Sequence, residues 1–77
     1  MNQSRGVEIS RARLRAEAGE ARRIRERSLL TVGEVAREIG VHPSSLSRWE
    51  TGATRPRASF ALRWAEVLDR LERAAHG

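Results

Sequence analysis

Ser44, Ser45, Ser47 and Arg48 stand together in the run HPSSLSRWETG, and Arg55 and Arg57 flank Pro56 a few residues later. Groups of these types serve two chemistries, nucleophilic catalysis and the recognition of anions or base edges. Catalysis finds no framework. The chain has no cysteine, which excludes a thiolate nucleophile, a disulfide and a cysteine-built zinc site. Its two histidines, His42 and His76, lie far apart with no acid at a spacing that would orient either, and none of the serines sits in a G-x-S-x-G elbow. The expectation is therefore no enzyme, no catalytic residue, no metal, no cofactor and no small-molecule ligand. Recognition has the groups it needs, because a guanidinium donates two parallel hydrogen bonds to one phosphate or to one guanine edge.

The charge balance points the same way. Fifteen basic residues against ten acidic give +5 at pH 7 in a chain of 77 residues, and every basic residue is arginine. Such an excess predicts a polyanionic partner. The first thirty residues hold eight of the arginines and four acids, so the positive charge is concentrated towards the amino terminus. The sequence contains neither a long apolar run nor a charged-then-apolar leader, and the expectation is a protein of the cytoplasm with no membrane partner.

These side chains need elements to hold them, and the elements read as helices. Residues 1–9 show no periodicity and read as a flexible arm, leaving 10–77 as a single domain. A helix of about 11–27, capped by Ser10, would place Leu14, Ala18, Ala21 and Ile24 on one side; Gly19 weakens it, since glycine costs about 1 kcal/mol relative to alanine in a helix. Thr31-x-x-Glu34 is a capping box ahead of Val35, Ala36 and Ile39 and predicts a helix of about 32–39, closed by Gly40. Pro43 suits the first position of the next helix, with Leu46 and Trp49 on its apolar face and Gly52 at its end. After the loop ATRPR, a helix of about 58–74 carries Phe60, Ala61, Trp64, Ala65, Val67, Leu68 and Leu71 on an arc of about 160°. The fold class is all-α, a bundle of four helices, or five with a short extra one. At its centre, residues 32–51 form two helices joined by a tight glycine-containing turn, a helix-turn-helix.

The stretches RRIRERSLLT, EVAREIGVHPSSLSRWETG and RPR, within about Ala21 to Leu71, resemble the lambda Cro and repressor-type helix-turn-helix domains, also called the xenobiotic-response-element family. The resemblance implies a sequence-specific regulator of transcription, in the main a repressor, that binds double-stranded DNA. It implies that the helix 43–51 enters the major groove with Pro43, Ser44, Ser47 and Arg48 towards the bases, Arg48 forking onto one guanine. It places phosphate contacts at Thr31 and Val32 at the start of the preceding helix, at His42, and at Thr51, Arg55 and Arg57 after the recognition helix. Ser45 suits a phosphate contact or a cap equally. Many members have glutamine where this chain has Val32, and serine or threonine where it has His42. The family also pairs an arginine and a glutamate at the places of Arg25 and Glu50 in a partly buried salt bridge, a structural role.

One recognition helix reads about 4–6 base pairs, and the family answers this with two-fold symmetry, so a homodimer is expected. If Ala61, Ala65 and Leu68 fill the core, Phe60, Trp64, Val67 and Leu71 are left over to form the interface; the opposing expectation is that these four pack on the first helix. A different class of function is also compatible with the sequence. The chain could be a protein-binding module, an antitoxin or small antagonist, that captures a partner through its last helix. A salt-steep affinity for duplex DNA separates the two, and an architectural protein would bind all duplexes alike.

Overall fold

The computed structural model describes residues 19–76. The expected arm 1–9, the Ser10 cap, Leu14 and Ala18 lie outside them. Four helices follow in order: α1 over Glu20–Arg27, α2 over Val32–Ile39, α3 over Pro43–Thr51 and α4 over Ala58–His76, with no strand among the described residues.

The first helix departs from expectation. Gly19 has φ 73° and ψ 8°, in the left-handed region, so α1 starts at Glu20 and no continuous helix passes through Gly19. Glycine here marks a boundary. At the other end of α1 the Ser28 hydroxyl donates to the Ile24 carbonyl at 2.9 Å, and Leu29 turns the chain with φ 60°, the one positive φ among the described non-glycine residues. Its side chain is 90% exposed. A left-handed conformation costs an L-residue about 1–2 kcal/mol, of which glycine's greater freedom in the unfolded chain takes back a part. Leu29→Gly is therefore expected to raise stability by about 0.5–1 kcal/mol in chemical denaturation. A loss of stability would mean that the leucine makes contacts its exposure denies.

The helix-turn-helix forms where local sequence demands it. The Thr31 Oγ1 accepts the Glu34 N–H at 3.1 Å while Glu34 accepts the Thr31 N–H at 2.9 Å, a complete capping box. Gly40 takes φ 90° to close α2 on the Ala36 carbonyl, and Val41 turns the chain into α3.

The core collects Ile24, Val35, Ala36, Ile39, Leu46, Trp49, Trp64 and Leu68 from all four helices. α2 packs on α3 and α4, and α1 packs on α4. Trp49 of α3 lies 5.5 Å from Trp64 and 6.2 Å from Phe60, ring centroid to centroid and tilted, so aromatic packing pins α3 to α4. This corrects the expected interface. Trp64 is 0% and Val67 5% exposed, and they belong to the protomer's own core; of the four residues only Phe60 and Leu71 keep exposed area. The wide apolar arc on α4 is covered mainly from within, because α2 and α3 pack against it as well as α1.

Candidate nucleic-acid interface

At about 100° per residue, α3 divides cleanly. Leu46, Trp49 and Glu50 are buried on one side; Pro43, Ser44, Ser47, Arg48 and Thr51 are exposed within an arc of about 140° on the other, with half-buried Ser45 at the margin. The exposed arc thus brings together all four expected base-reading residues. Their orientation is fixed from behind by the two tryptophans and by a salt bridge.

That bridge joins α1 to α3, two helices that are not otherwise a closely packed pair. Arg25 donates from Nε to one Glu50 oxygen at 2.8 Å and from Nη2 to the other at 3.0 Å, and from Nη1 to the Leu30 carbonyl at 3.0 Å. The Arg25 and Glu50 side chains are 10% and 4% exposed. Hydrogen bonding to Glu50 outweighs the opposing effect of burial and raises the Arg25 pKa, so the guanidinium keeps its charge in the core.

The expected phosphate-facing groups sit at element ends. Thr31 is exposed and uses its hydroxyl oxygen as the acceptor of the capping box. Val32 is half-buried and packs against the core, so what it offers is its backbone N–H at the first turn of α2. His42 is exposed and caps α3, its Nδ1 accepting the Ser44 N–H at 3.1 Å. Thr51 is exposed, but its hydroxyl donates to the Arg48 carbonyl at 3.1 Å, so that proton is committed within the helix. Pro56 is buried and anchors the loop, with Arg55 and Arg57 exposed on either side of it.

The capping box carries a pH dependence. The Thr31 backbone N–H, with the Thr31 side chain adding to it, holds the Glu34 carboxyl below its ordinary value of 4.5. A depressed folded-state pKa contributes stability above the unfolded value and loses it as pH falls through the folded one. Glu34→Gln is thus expected to flatten the acid limb of the stability profile as pH falls below the ordinary carboxyl value of 4.5, relative to the unmodified protein. Superimposable profiles in thermal melts would remove the carboxylate from the cap.

Arg63 is a residue that sequence reading missed. From α4 it donates to the Ile39 carbonyl at 3.3 Å, closing the last turn of α2, and lies 5.8 Å above the Phe60 ring. The Phe60–Arg63 spacing of three on one helix was the available signal.

A model of the helix-turn-helix family, of the Cro/C1 type, matches residues 22–73, well over half of the chain. The chain belongs to the Cro/C1-type helix-turn-helix family. No curated protein and no solved structure matches it. As a family member it is an all-α, DNA-binding regulator whose partner is double-stranded DNA. Within this Cro/C1-type domain, the match runs from α1 to near the end of α4 and encloses both partners of the Arg25–Glu50 bridge. Among the described residues of the domain, no group of three metal-ligating side chains occurs, and no helix is long and apolar enough to cross a membrane.

Proposed function

We propose that the protein reads duplex DNA by sequence and acts as a transcriptional repressor, with α3 in the major groove. The observation that carries this is the division of α3: one face is locked into the core, and the opposite face presents Ser44, Ser47 and Arg48 with no apolar residue larger than Pro43 among them. A face built only to dock on protein would expose large apolar anchors there. In this reading Arg48 forks onto O6 and N7 of one guanine. His42 has given its Nδ1 to the Ser44 N–H, so its Nε2 proton goes to a phosphate. The Thr31 hydroxyl, the Val32 N–H, Arg55 and Arg57 hold neighbouring phosphates; Ser45 stands beside them at the margin of the helix face.

We further propose that two copies bind inverted half-sites about 10–10.5 base pairs apart, because one such helix addresses too few base pairs alone. With Trp64 and Val67 buried, the apolar area that α4 offers a second copy is what Phe60 and Leu71 leave exposed, Leu71 lying with Ala74 and Ala75 in a shallow groove that Arg27, Ser28 and Leu30 also line.

Selection from random duplexes, followed by affinities on single-base variants, tests the proposal. Arg48→Ala should lose discrimination of about 1–3 kcal/mol at one guanine and leave other positions unchanged. Arg55→Ala and Arg57→Ala should each weaken all sequences alike and lower the log-log salt slope by about one. An equal loss on every variant for Arg48→Ala, or affinity that ignores salt, would defeat the proposal.

A further inference from the structure

Ser44 stands on the exposed face of α3, one residue past Pro43, and a serine hydroxyl ordinarily accommodates any base edge because its proton rotates to suit the partner. In this protein it has lost that freedom. The Ser44 backbone N–H can only donate, and it points at the His42 Nδ1 from 3.1 Å. That nitrogen therefore carries a lone pair, and the ring proton of the neutral imidazole resides on Nε2. The Ser44 Oγ lies 2.8 Å from the same Nδ1. A nitrogen without a proton can only accept, so the hydroxyl must be the donor in this contact. Its one proton is spent on His42, and what remains for a partner in front of the helix is two oxygen lone pairs.

We propose that His42 converts Ser44 into an acceptor-only reader, so that this position of the helix selects a base carrying an amino group in the major groove. Adenine N6 and cytosine N4 are the groups that donate there; guanine offers O6 and N7, and thymine O4, all acceptors that face the serine lone pairs without a proton between them. His42 is a positioning residue in this device. It acts on base choice through Ser44, in addition to any phosphate it touches through Nε2. The inference rests on the proposal that α3 reads the major groove and deepens it, replacing an indifferent serine with a directional one.

The test uses the full chain and a panel of duplexes that place each of the four base pairs at every position of the selected site. The position governed by Ser44 is the one whose preference disappears in Ser44→Ala, which keeps the backbone cap to His42. At that position the unmodified protein should favour adenine or cytosine over guanine or thymine by roughly three- to tenfold, the range of one net hydrogen bond. His42→Ser restores a good N-cap with a hydroxyl that both donates and accepts, so it no longer forces the polarity of Ser44. It should bind every duplex somewhat more weakly for want of the Nε2 phosphate contact, melt near the unmodified protein and lose that preference towards onefold while all other positions keep theirs; His42→Ala should lose the same preference with a lower melting temperature. In the Ser44→Ala background, neither His42 substitution should change any base preference. Three results overturn the inference while leaving DNA reading intact: a Ser44-dependent preference for guanine or thymine, a preference that survives in folded His42→Ser, or no position that responds to Ser44→Ala. Absence of any base preference in the unmodified protein overturns this inference and the reading beneath it together.

Discussion

Glu50→Ala is expected to cost about 3–5 kcal/mol of folding stability, the largest effect of any single change outside the aromatic core. Its carboxylate receives two hydrogen bonds from Arg25, and truncation strands a cation that is only 10% exposed. Against a total stability of about 5–15 kcal/mol for a domain, this leaves little in reserve. Arg25→Ala should cost a similar amount, since it also releases the Leu30 carbonyl. The double substitution to an apolar pair such as Met and Leu should recover much of the loss, because the cost lies mainly in the unpaired charge. Thermal melts of the two single variants and the double variant give the coupling. Additive losses would mean that the bridge does not operate in solution. Base preference, measured where the variants remain folded, should not change.

Trp64 gives the second large effect. It is fully buried and packs with its ring 5.5 Å from that of Trp49, so Trp64→Ala is expected to cost about 3–5 kcal/mol through the cavity left behind. Trp64→Glu should unfold the chain outright by burying a charge without a partner. Trp64→Phe should be the mildest of the three. The Trp64 Nε1 is buried with no hydrogen-bond partner, so removing it breaks no hydrogen bond and relieves an unsatisfied donor, which offsets part of the lost volume. Circular dichroism with sedimentation decides the matter. A folded monomeric Trp64→Glu would put the ring at an interface between copies and contradict its place in the core.

What could be read from the sequence was what is encoded locally. Thr31 with Glu34, Gly40, Pro43 and Gly52 each specify a helix end within four residues, so α2 and α3 were placed to the residue. Gly19 is ambiguous in the sequence, because a glycine within an apolar period can either weaken a helix or end it, and only the backbone angle distinguishes them. Leu29 gave no sign at all: nothing in a leucine announces a positive φ. The apolar arc of α4 was visible but its cover was not. Periodicity shows which residues avoid water, and whether Trp64 meets its own Trp49 or another copy depends on contacts distant in sequence. Arg25 and Glu50, 25 residues apart, came from family resemblance and not from any local rule. For the interface itself, exposure on α3 followed from register alone, whereas the commitments of the Ser44 and Thr51 protons are set by distances that no spacing encodes.

The Arg25 guanidinium touches two elements at once. One edge holds Glu50 on α3, and the remaining amine holds the Leu30 carbonyl, one residue before Thr31. A rigid planar group thus works as a caliper between the start of α2 and the body of α3, fixing the offset of one helix from the other. Lysine at this place would keep the charge and lose the gauge, having no fork to span both sides. In the proposed reading of DNA by α3, an offset held from inside the fold lets the outward residues at 44, 47 and 48 be exchanged for others without resetting how the domain sits on a duplex. New operators become reachable by changing the lettering while the ruler stays the same.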